Sequence, residues 1–415
     1  MQMKYLKRLL GFFSLMMVIT LLASCQGNKQ SVGNQLSGDT IPLKYSQLLT
    51  MVRHDGYVEA IIANPWKEKQ VLHRYLLIPK GNEGDKVMTK LQESNQMGGK
   101  GITSAVDIVR TPVSSSIITT APHCQLLYEL NAKKAITGVC DANYINIPDI
   151  KRYVDCGSSM QPDIERIIAL HPEALVISPF ENSGGYGKLD KLGIPVIEAA
   201  DYMEASPLGR AEWIKFYAVL FGSEERRVKS EESYSLGESP FAWTKGDSLF
   251  SIIEREYLSL KSKAAKLSEG LSVLTERKMG SVWYVPGGQS TMGILLRDAH
   301  AKYIFADDNH SGSLALSPEQ IIAKGNQVDV WAFKYFGGKP LSCADLLQEY
   351  KGYQTLRAFE AKNIYECDTQ ILPYFEQTSF HPEILLREFI LLSHPSLLNQ
   401  QGWGQLRFYK KLKEL

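Results

Sequence analysis

The sequence lacks the short motifs that mark the common enzyme classes. Among its 415 residues there is no GxSxG nucleophile elbow, no HExxH zinc motif, no P-loop and no GxGxxG dinucleotide fingerprint. The nearest approach to a serine motif is "GGQSTMG" at 287–293, but its spacing is Gly-x-Ser-x-x-Gly and no histidine partner follows from the spacing. We therefore expect a protein that is not an enzyme.

An excess of charge and closely paired cysteines are absent as well. The 46 Lys and Arg against 45 Asp and Glu leave a formal charge of +1, so no global field attracts nucleic acid. No CxxC or CxxH pair is present, which disfavours a structural zinc site. Apart from Cys25 there is an odd number of cysteines, so at least one has no disulfide partner within the chain. They are Cys124, Cys140, Cys156, Cys343 and Cys367.

The N-terminus has the features of an export signal. "MQMKYLKRLL" supplies positive charge, and "GFFSLMMVITLLA" is apolar but short for a membrane span. The run ends in "LASC", which resembles the bacterial lipobox; the resemblance implies cleavage before Cys25 and a diacylglycerol group on its thiol. We predict a lipoprotein signal peptide at 1–24 and a flexible polar tether at 25–41, with a plain signal peptide or signal anchor as the alternative. The predicted location is the periplasmic face of the cell envelope, held by lipid.

Alternating β and helical patterns predict an α/β fold with largely parallel sheets. The first lobe is predicted at 42–205. It begins with a β extension, "YVEAIIANPW" and "VLHRYLLIP", followed by a Gly/Lys-rich hairpin or loop. Helical patterns at 206–270, interrupted by a polar insertion at 223–245, predict a helical bridge. The second lobe is predicted at 271–415, with "GSVWYV" as its first strand.

The same short helix occurs in both lobes. "ERIIA" at 165–169 and "EQIIA" at 319–323 match at four of five positions, and each has a proline shortly before it and a buried strand after it. The apolar residues of each helix form a stripe from which the glutamate is displaced. Glu165 and Glu319 are therefore expected to point outward, one from each lobe.

Several longer stretches are similar to a known family. They are "SSIITTAPHCQLLYELNAKKAITGVCD", "GSSMQPDIERIIALHPEALVIS", "KLGIPVIEA", "SPEQIIAKGNQVDVWAF" and "AFEAKNIYECD". From about residue 112 to 398 the chain resembles the substrate-binding proteins of bacterial ABC importers for ferric siderophores, haem and cobalamin. The resemblance implies a monomer with two Rossmann-like lobes, a long bridging α-helix and a ligand cleft between the lobes. It also implies that one glutamate on each lobe, here Glu165 and Glu319, pairs with arginines of the permease dimer.

The carboxyl ends of the strands are where ligands bind in parallel α/β sheets. Aromatic residues recur at these ends, and flat, rigid side chains suit a large planar or macrocyclic ligand because they bury area at little entropic cost. Some of these side chains are equally suited to covering the sheet ends. The predicted ligand-binding residues are His123, Asp141, Tyr144, Tyr186, Tyr202, Tyr284, Tyr335, Tyr374 and Phe375.

Two features at the strand ends are open to more than one interpretation. His123 suits the ligation of a metal centre such as haem iron, although a lone histidine after a strand also serves as a capping or packing residue. Cys140-Asp141 and Cys367-Asp368 fit soft ligands or a redox pair facing across the cleft, and they equally fit buried small residues. We predict no resident metal or cofactor; the iron or cobalt belongs to the bound chelate.

The identity of the chelate is left open by the sequence. Cobalamin-binding members of the family carry a Trp-Pro pair shortly before the second glutamate, whereas this chain has Ser313 and Leu314 in "SGSLALSPEQ". The strand ends also lack the dense arginine cluster that anionic catecholate complexes favour. Ferric siderophore, haem and corrinoid are all candidates.

The predicted function is that of an extracytoplasmic substrate-binding lipoprotein that delivers a metal chelate to an ABC permease of the inner membrane. The alternative is a surface or periplasmic lipoprotein that relays or senses the ligand without a permease of its own. The N-terminal β extension and the 223–245 insertion are additions to the family pattern and fit a further partner.

Overall fold

The first element of the fold is a five-stranded sheet that precedes both lobes in the chain. The computed structural model describes residues 38–93, 106–181, 191, 193–222 and 244–413. Neighbouring strands of this first sheet follow each other in chain order, and all pairs are antiparallel except the last, which is parallel. The strands are β1 (Asp39–Ile41), β2 (Leu49–His54), β3 (Tyr57–Ala63), β4 (Val71–Pro79) and β5 (Val106–Thr111).

A helix follows β4 where the sequence predicts a Gly/Lys-rich hairpin or loop. Helix α1 (Asn82–Glu93) buries Gly84, Val87 and Leu91, which lie three and four residues apart on one face. Its first turn is acidic and its last turn is basic, as the helix dipole favours. The loop prediction is wrong. Glycine and lysine are frequent in this stretch, and the few apolar residues at helical spacing are too sparse to indicate a helix.

The first lobe is built on a parallel sheet in the order β12-β11-β6-β7-β8, with strands β6 (Ser116–Ile118), β7 (Ile136–Val139), β8 (Val154–Asp155), β11 (Ala174–Ile177) and β12 (Val196–Glu198). Every residue of β6 and β11 is buried, as expected for a parallel sheet covered on both faces. The lobe also contains helices α2 (Ala121–Glu129) and α3 (Ile164–Ala169) and a small hairpin of β9 (Gly157–Ser158) and β10 (Gln161–Pro162).

Helices join the two lobes. The predicted helix at 206–222 is two consecutive helices, α4 (Pro207–Glu212) and α5 (Ile214–Phe221), which meet at Trp213. Ser206 caps the first by accepting a hydrogen bond from the N–H of Gly209. Helix α6 (Thr244–Ala264) follows and, with 21 residues, is the long helix expected between the lobes; it packs against α5.

The second lobe is also built on a parallel sheet, with one antiparallel strand at its edge. Its sheet runs β16-β13-β18-β19-β20, formed by β13 (Ser272–Thr275), β16 (Lys302–Tyr303), β18 (Val330–Tyr335), β19 (Ile364–Asp368) and β20 (Lys410–Lys411). The helices are α7 (Thr291–Asp298), α8 (Pro318–Gly325), α9 (Cys343–Glu349), α10 (Arg357–Glu360), α11 (Tyr374–Thr378) and α12 (Pro382–Ser393). Helix α12 packs along α6 and so fixes the bridge to this lobe.

The strand "GSVWYV" is not part of that parallel sheet. It is β15 (Val282–Pro286) and pairs antiparallel with β14 (Lys278–Met279) and β17 (Ser313–Leu316). The prediction that it opens the lobe's sheet is wrong, since the shorter run "SVLT" at 272–275 takes that place as β13.

Residues 44–48, between β1 and β2, are bound by three glutamates and are called the N-terminal clamp below. The backbone N–H groups of residues 44–46 donate to the carboxylate of Glu212 at 2.7 to 3.0 Å. Those of residues 47–48 donate to Glu204 at 2.9 to 3.1 Å. The side chains of residues 44 and 45 donate to Glu254 of α6 at 2.7 and 2.6 Å. The segment between β1 and β2 is thus fastened to the residues between the lobes and to α6.

Residues Asp39–Leu415 form one unit with a continuous hydrophobic core that runs from the first sheet through both lobes. The prediction of an α/β fold with two lobes and parallel sheets is confirmed. In the part of the chain that the structure describes, no helix combines the length and the apolar composition needed to cross a membrane.

Candidate functional site

A cavity of about 510 Å³ lies between the two lobes. The first lobe contributes Tyr202, Met203 and Glu204, which follow β12. The second lobe contributes the segment after β13, the end of β15 with the start of α7, and residues 311–313. The first-lobe wall and residues 276–277 thus follow the carboxyl ends of parallel strands, where such sheets bind ligands, whereas Met279, Tyr284, Pro286 and Ser313 belong to the antiparallel sheet of β14, β15 and β17. This part of the cleft is called the open half.

Two of the predicted aromatic residues line the open half, one from each lobe. Tyr202 comes from the first lobe and Tyr284 from β15 of the second, with 37% and 44% of their surfaces exposed. The hydroxyl of Tyr202 donates to the carbonyl of Pro179, which holds the ring in place. Burial raises the pKa of Tyr202, so this hydroxyl stays protonated at neutral pH. The pair offers flat apolar area to a ligand.

The charged residues of the cavity wall are paired within the protein. Glu276 forms an ion pair with Lys334 of β18, and Arg277 forms one with Glu349 of α9. Burial favours neutral Lys334, but the charge and hydrogen bond of Glu276 raise its pKa above the usual range and keep it protonated. Glu204 is 2% exposed and its carboxylate is used by the N-terminal clamp. Glu276 and Arg277 thus have oppositely charged partners, whereas the buried carboxylate of Glu204 is held by hydrogen-bond donors.

A non-glycine residue with positive φ follows a parallel strand in each lobe. Glu276 comes directly after β13 with φ +63°, and Asp141 comes two residues after β7 with φ +52°. Such backbone conformations cost free energy and persist where the surroundings hold them, often at binding sites. At Glu276 the strain turns the chain so that Glu276 and Arg277 both reach the cavity.

On the side of β7 and β19 the two lobes are in direct contact. The side-chain amide of Asn146 donates to the carbonyls of residues 369, 370 and 372 at 3.0, 2.9 and 3.4 Å. Its backbone N–H donates to the carboxylate of Glu376 at 2.7 Å. One residue of the first lobe thus bonds the whole turn that follows β19. This part of the cleft is called the closed half.

Aromatic residues close the same side. The rings of Tyr144 and Phe336, from opposite lobes, lie 4.9 Å apart and tilted, although 62% and 46% of their surfaces are exposed. Tyr144, predicted to bind ligand, therefore lies beside the lobe–lobe contact and away from the cavity wall.

A histidine links the lobes behind the closed half. His381 contacts Glu129 at the end of α2 at 2.9 Å and Glu383 of α12 at 2.8 Å. Burial lowers the pKa of His381, but its bonds to the two carboxylates outweigh this and raise the pKa to about 10. His381 is therefore a cation at neutral pH, held between carboxylates of both lobes.

His123 lies in the first turn of α2, which starts at Ala121, and is 1% exposed. One ring nitrogen lies 2.5 Å from Thr120 Oγ1, and the other lies 2.8 Å from the buried carboxylate of Asp201 and 2.9 Å from the hydroxyl of Tyr217. Both nitrogens are thus engaged inside the protein in this structure.

The remaining predicted ligand residues are spread over the cleft. Tyr335 and Tyr374 are 7% and 3% exposed, whereas Phe375 is 47% exposed and stacks edge-on against Tyr374. Asp141 accepts a hydrogen bond from the N–H of Ser159 at 3.0 Å. Cys140 and Cys367 are fully buried in separate lobes. Tyr186 and Cys25 lie outside the described residues.

The two glutamate helices are alike in detail. Asp163 caps α3 and Ser317 caps α8, so Glu165 and Glu319 occupy the same position, two residues after the cap. Both glutamates are exposed, and the isoleucine two residues further on is fully buried in each helix. The pKa of Glu319 is lowered by its own backbone N–H, by Ser317 and by the hydroxyl of Tyr350.

Sequence reasoning missed the methionines and charged residues of the cavity wall. Met203, Met279 and Met292 all line the open half, together with Glu276 and Arg277. Methionine is adaptable and polarisable and suits an apolar ligand surface. Their positions in the sequence could have indicated this, because Met203 closely follows β12 of the first lobe and Met279 closely follows β13 of the second.

The sequence profile of the periplasmic binding protein family matches residues 117–371, more than half of the chain. The chain therefore belongs to the periplasmic binding protein family, and the resemblance predicted from its motifs is confirmed. Members of this family are solute-binding proteins, which also confirms the prediction that the chain is not an enzyme. The matched region begins after β5, so the first sheet lies outside it.

Relatives and solved structures agree with this assignment. An uncharacterised lipoprotein of Methanocaldococcus jannaschii is 21% identical over 379 residues, which cover 85% of this chain and 82% of the relative. An ABC-type Fe3+-hydroxamate transport system from Saccharomonospora viridis is 16% identical with a TM-score of 0.50, covering 68% of this chain and 93% of that one. A periplasmic haem-binding protein from Roseiflexus sp. RS-1 is 19% identical with a TM-score of 0.50, covering 68% and 99%. At these identities the structures show a shared fold.

Proposed function

We propose that the protein captures a metal chelate in the cleft outside the cytoplasm and delivers it to an ABC permease. The observation that carries this proposal is the pair of matched helices that present Glu165 and Glu319, one on each lobe. Two carboxylates on separate rigid lobes let a symmetric permease test the position and the spacing of both lobes at once. Exposed charges of this kind act mainly on steering and register.

The open half supports an apolar, flat chelate as ligand. Tyr202 and Tyr284 supply aromatic area, and three methionines line the same cavity. The similar proteins named above carry ferric hydroxamate transport or haem binding in their descriptions. We propose Tyr202 and Tyr284 as the main ligand contacts, with Phe375 as a further contact on the second lobe.

The proposed location is the outer face of a membrane, with a lipid on Cys25. The "LASC" run and the lipoprotein name of the archaeal relative support this proposal. Mass spectrometry of the N-terminal peptide tests it, since a peptide that starts at Cys25 and carries acyl chains is expected. A peptide that retains residues 1–24 contradicts it.

The docking role is tested by reversing both charges. We expect Glu165→Lys/Glu319→Lys to abolish chelate uptake in cells while the dissociation constant of the purified protein changes less than about twofold, because both residues are exposed on α3 and α8. Glu83→Lys/Glu360→Lys is the matched control, since both residues are exposed first-turn glutamates on other helices, α1 and α10. Unchanged uptake in the first variant, or loss of ligand affinity, contradicts the assignment.

The ligand is identified by titration of the chain from about residue 29 with haemin, cobalamin and a panel of ferric siderophores. Tryptophan fluorescence and calorimetry are the readouts. Saturable one-to-one binding of one chelate is expected. A folded protein that binds none of them contradicts the chelate assignment.

A relay or sensing lipoprotein without its own permease is the second candidate. The observation that favours it is the sheet β1–β5, which lies outside the family match and offers a surface for another partner. Deletion of a neighbouring permease separates the two candidates, because uptake through this protein then stops only in the importer. Capture of the chelate at the cell surface persists in the relay.

A further inference from the structure

Two cysteines lie side by side at the ends of neighbouring strands in the first lobe. Cys140 directly follows β7 and Cys156 directly follows β8. The two strands are parallel, with Val139 opposite Asp155, so the next residue of each strand also faces its neighbour. The N–H of Cys156 donates to the carbonyl of Val139 at 2.7 Å, which extends the pairing to this level.

Both side chains lie on the same face of the sheet. Cys140 and Cys156 are fully buried in one small core beneath α3, together with Ile167 of that helix. The sulfur of Cys140 lies 3.9 Å from the carbonyl oxygen of Cys156. Adjacent strands are about 4.8 Å apart, and disulfides join residues whose Cα atoms are roughly 4.4 to 6.8 Å apart.

The site also has room for the bond. Gly138, two residues before Cys140 on β7, has no side chain, and the sulfur of Cys156 lies 2.9 Å from where its Cβ would be. The absence of a side chain at Gly138 leaves space beside the sulfur of Cys156, on the face of the sheet that also carries Cys140. In this structure both groups are thiols.

We propose that Cys140 and Cys156 form a disulfide in the exported protein. The S–S bond forms as the disulfide of a thiol–disulfide oxidoreductase breaks, and the two electrons and two protons end on the two thiols of that donor. The proposal rests on the extracytoplasmic location in the proposed function, since disulfides persist in oxidising compartments. The bond ties the edge strand β8 to the sheet below the helix that carries Glu165.

The bond has to form before the lobe has folded completely. Burial raises the pKa of the Cys140 thiol to about 12 and that of Cys156 to about 11. The thiolate is the species that attacks a disulfide, and neither thiol reaches the surface after folding. A chain that folds in a reducing compartment is therefore expected to keep both thiols.

The other cysteines do not compete for this pairing. Cys124 lies in the main core on α2, and Cys343 and Cys367 lie in the second lobe. They serve as internal references in a labelling experiment.

The experiment uses the full chain, isolated from the envelope fraction of an exporting cell so that its location is established beforehand. Thiols are blocked in denaturant with one maleimide, disulfides are then reduced, and the released thiols are labelled with a second. We expect Cys140 and Cys156 to carry the second label and Cys124, Cys343 and Cys367 to carry the first. Peptides of Cys140 and Cys156 are expected as one cross-linked species before reduction.

Variants test the pairing itself. In Cys156→Ser, Cys140 is expected to move from the second label to the first, whereas Cys343→Ser is expected to leave the labelling of Cys140 and Cys156 unchanged. First-label modification of Cys140 and Cys156 in the exported wild-type chain overturns the proposal, as does a cross-link from either to another cysteine. The chelate titration is independent of this labelling, so the two proposals fail separately.

Discussion

On the side of β7 and β19 the two lobes touch, whereas on the side of β12 and β13 a cavity separates them. The closed half relies on directional bonds: Asn146 reaches three carbonyls of the opposite lobe, and His381 joins carboxylates of both lobes. The open half has aromatic side chains and methionines in its walls, and its residues Glu276 and Arg277 form ion pairs with Lys334 and Glu349 of the second lobe.

The difference assigns separate tasks to the two halves. Hydrogen bonds to backbone carbonyls tolerate little displacement, so the closed half sets the spacing of the lobes. Non-directional apolar contacts tolerate ligands of differing outline, so the open half suits the ligand binding that we propose for it. Three changes test this division, and they are given from the largest expected effect to the smallest.

The contacts of His381 with Glu129 and Glu383 are expected to make the free energy of unfolding depend on pH. The pKa of His381 is raised to about 10 in the folded chain, against about 6.5 when unfolded, so its contribution is complete below pH 6.5 and is lost as the pH rises toward 10. The loss amounts to about 1.4 kcal/mol for each pH unit in that window. Urea unfolding of wild type and His381→Gln at pH 6 to 10 measures it, and the difference between them is expected to shrink as the pH rises.

His73 provides the control for this measurement. It contacts Glu198 of β12 and Asp107 of β5, outside the cleft, and these bonds outweigh burial and raise its pKa to about 9. We expect His73→Gln to lower stability at low pH, with a difference from wild type that is lost as the pH rises toward 9, and to leave the spacing of the lobes in small-angle scattering unchanged. A difference between wild type and His381→Gln that is constant with pH contradicts the role of His381 as a cation between the lobes.

Removing the two tyrosines of the open half is expected to weaken ligand binding. Tyr202→Ala and Tyr284→Ala together should raise the dissociation constant of the identified chelate about 10- to 100-fold, because each ring contributes buried aromatic area. Tyr144→Ala in the closed half is the matched comparison and is expected to change it less than about threefold. An equally large effect of Tyr144→Ala places the ligand in both halves and removes the distinction.

Asn146→Ala is expected to have the smallest effect. The free energy of unfolding should fall by about 1 to 2 kcal/mol, since several hydrogen bonds to carbonyls are lost and water replaces part of them. Hydrogen exchange at residues 369–372 should accelerate. Asn363→Ala, which removes a bond to Asp329 inside the second lobe, is the control and should leave that exchange unchanged. Equal exchange in both variants shows that Asn146 does not hold the closed half.

Much of the fold follows from local patterns in the sequence. The sequence predicts β4 and β11 because each has a compact apolar run. It predicts the two glutamate helices because the same stripe of isoleucines occurs in both. The sequence does not predict β13, since "SVLT" is only four residues long and the longer run of β15, which follows it, has stronger β character. The strand that enters the parallel sheet is the one that pairs with β18, and this pairing joins residues more than fifty positions apart in the sequence.

The candidate site was harder to predict than the fold. The rule of strand ends led to Tyr202 and Tyr284, but it also selected Tyr335 and Tyr374, which are buried in the second lobe. The position of a residue at a strand end indicates which edge of the sheet it occupies. It does not indicate whether a neighbouring helix covers the residue. His123 shows this, because it lies in the first turn of α2 and its ring is buried in the core.

The N-terminal clamp decides where mechanical load enters the molecule. Any force that reaches the fold from its N-terminus is passed through residues 44–48 to Glu204, Glu212 and Glu254, on the segments between the lobes and on the bridging helix. With the lipid proposed on Cys25, a pull on the N-terminus would therefore reach the bridging helix through Glu254 and the wall of the open half through Glu204.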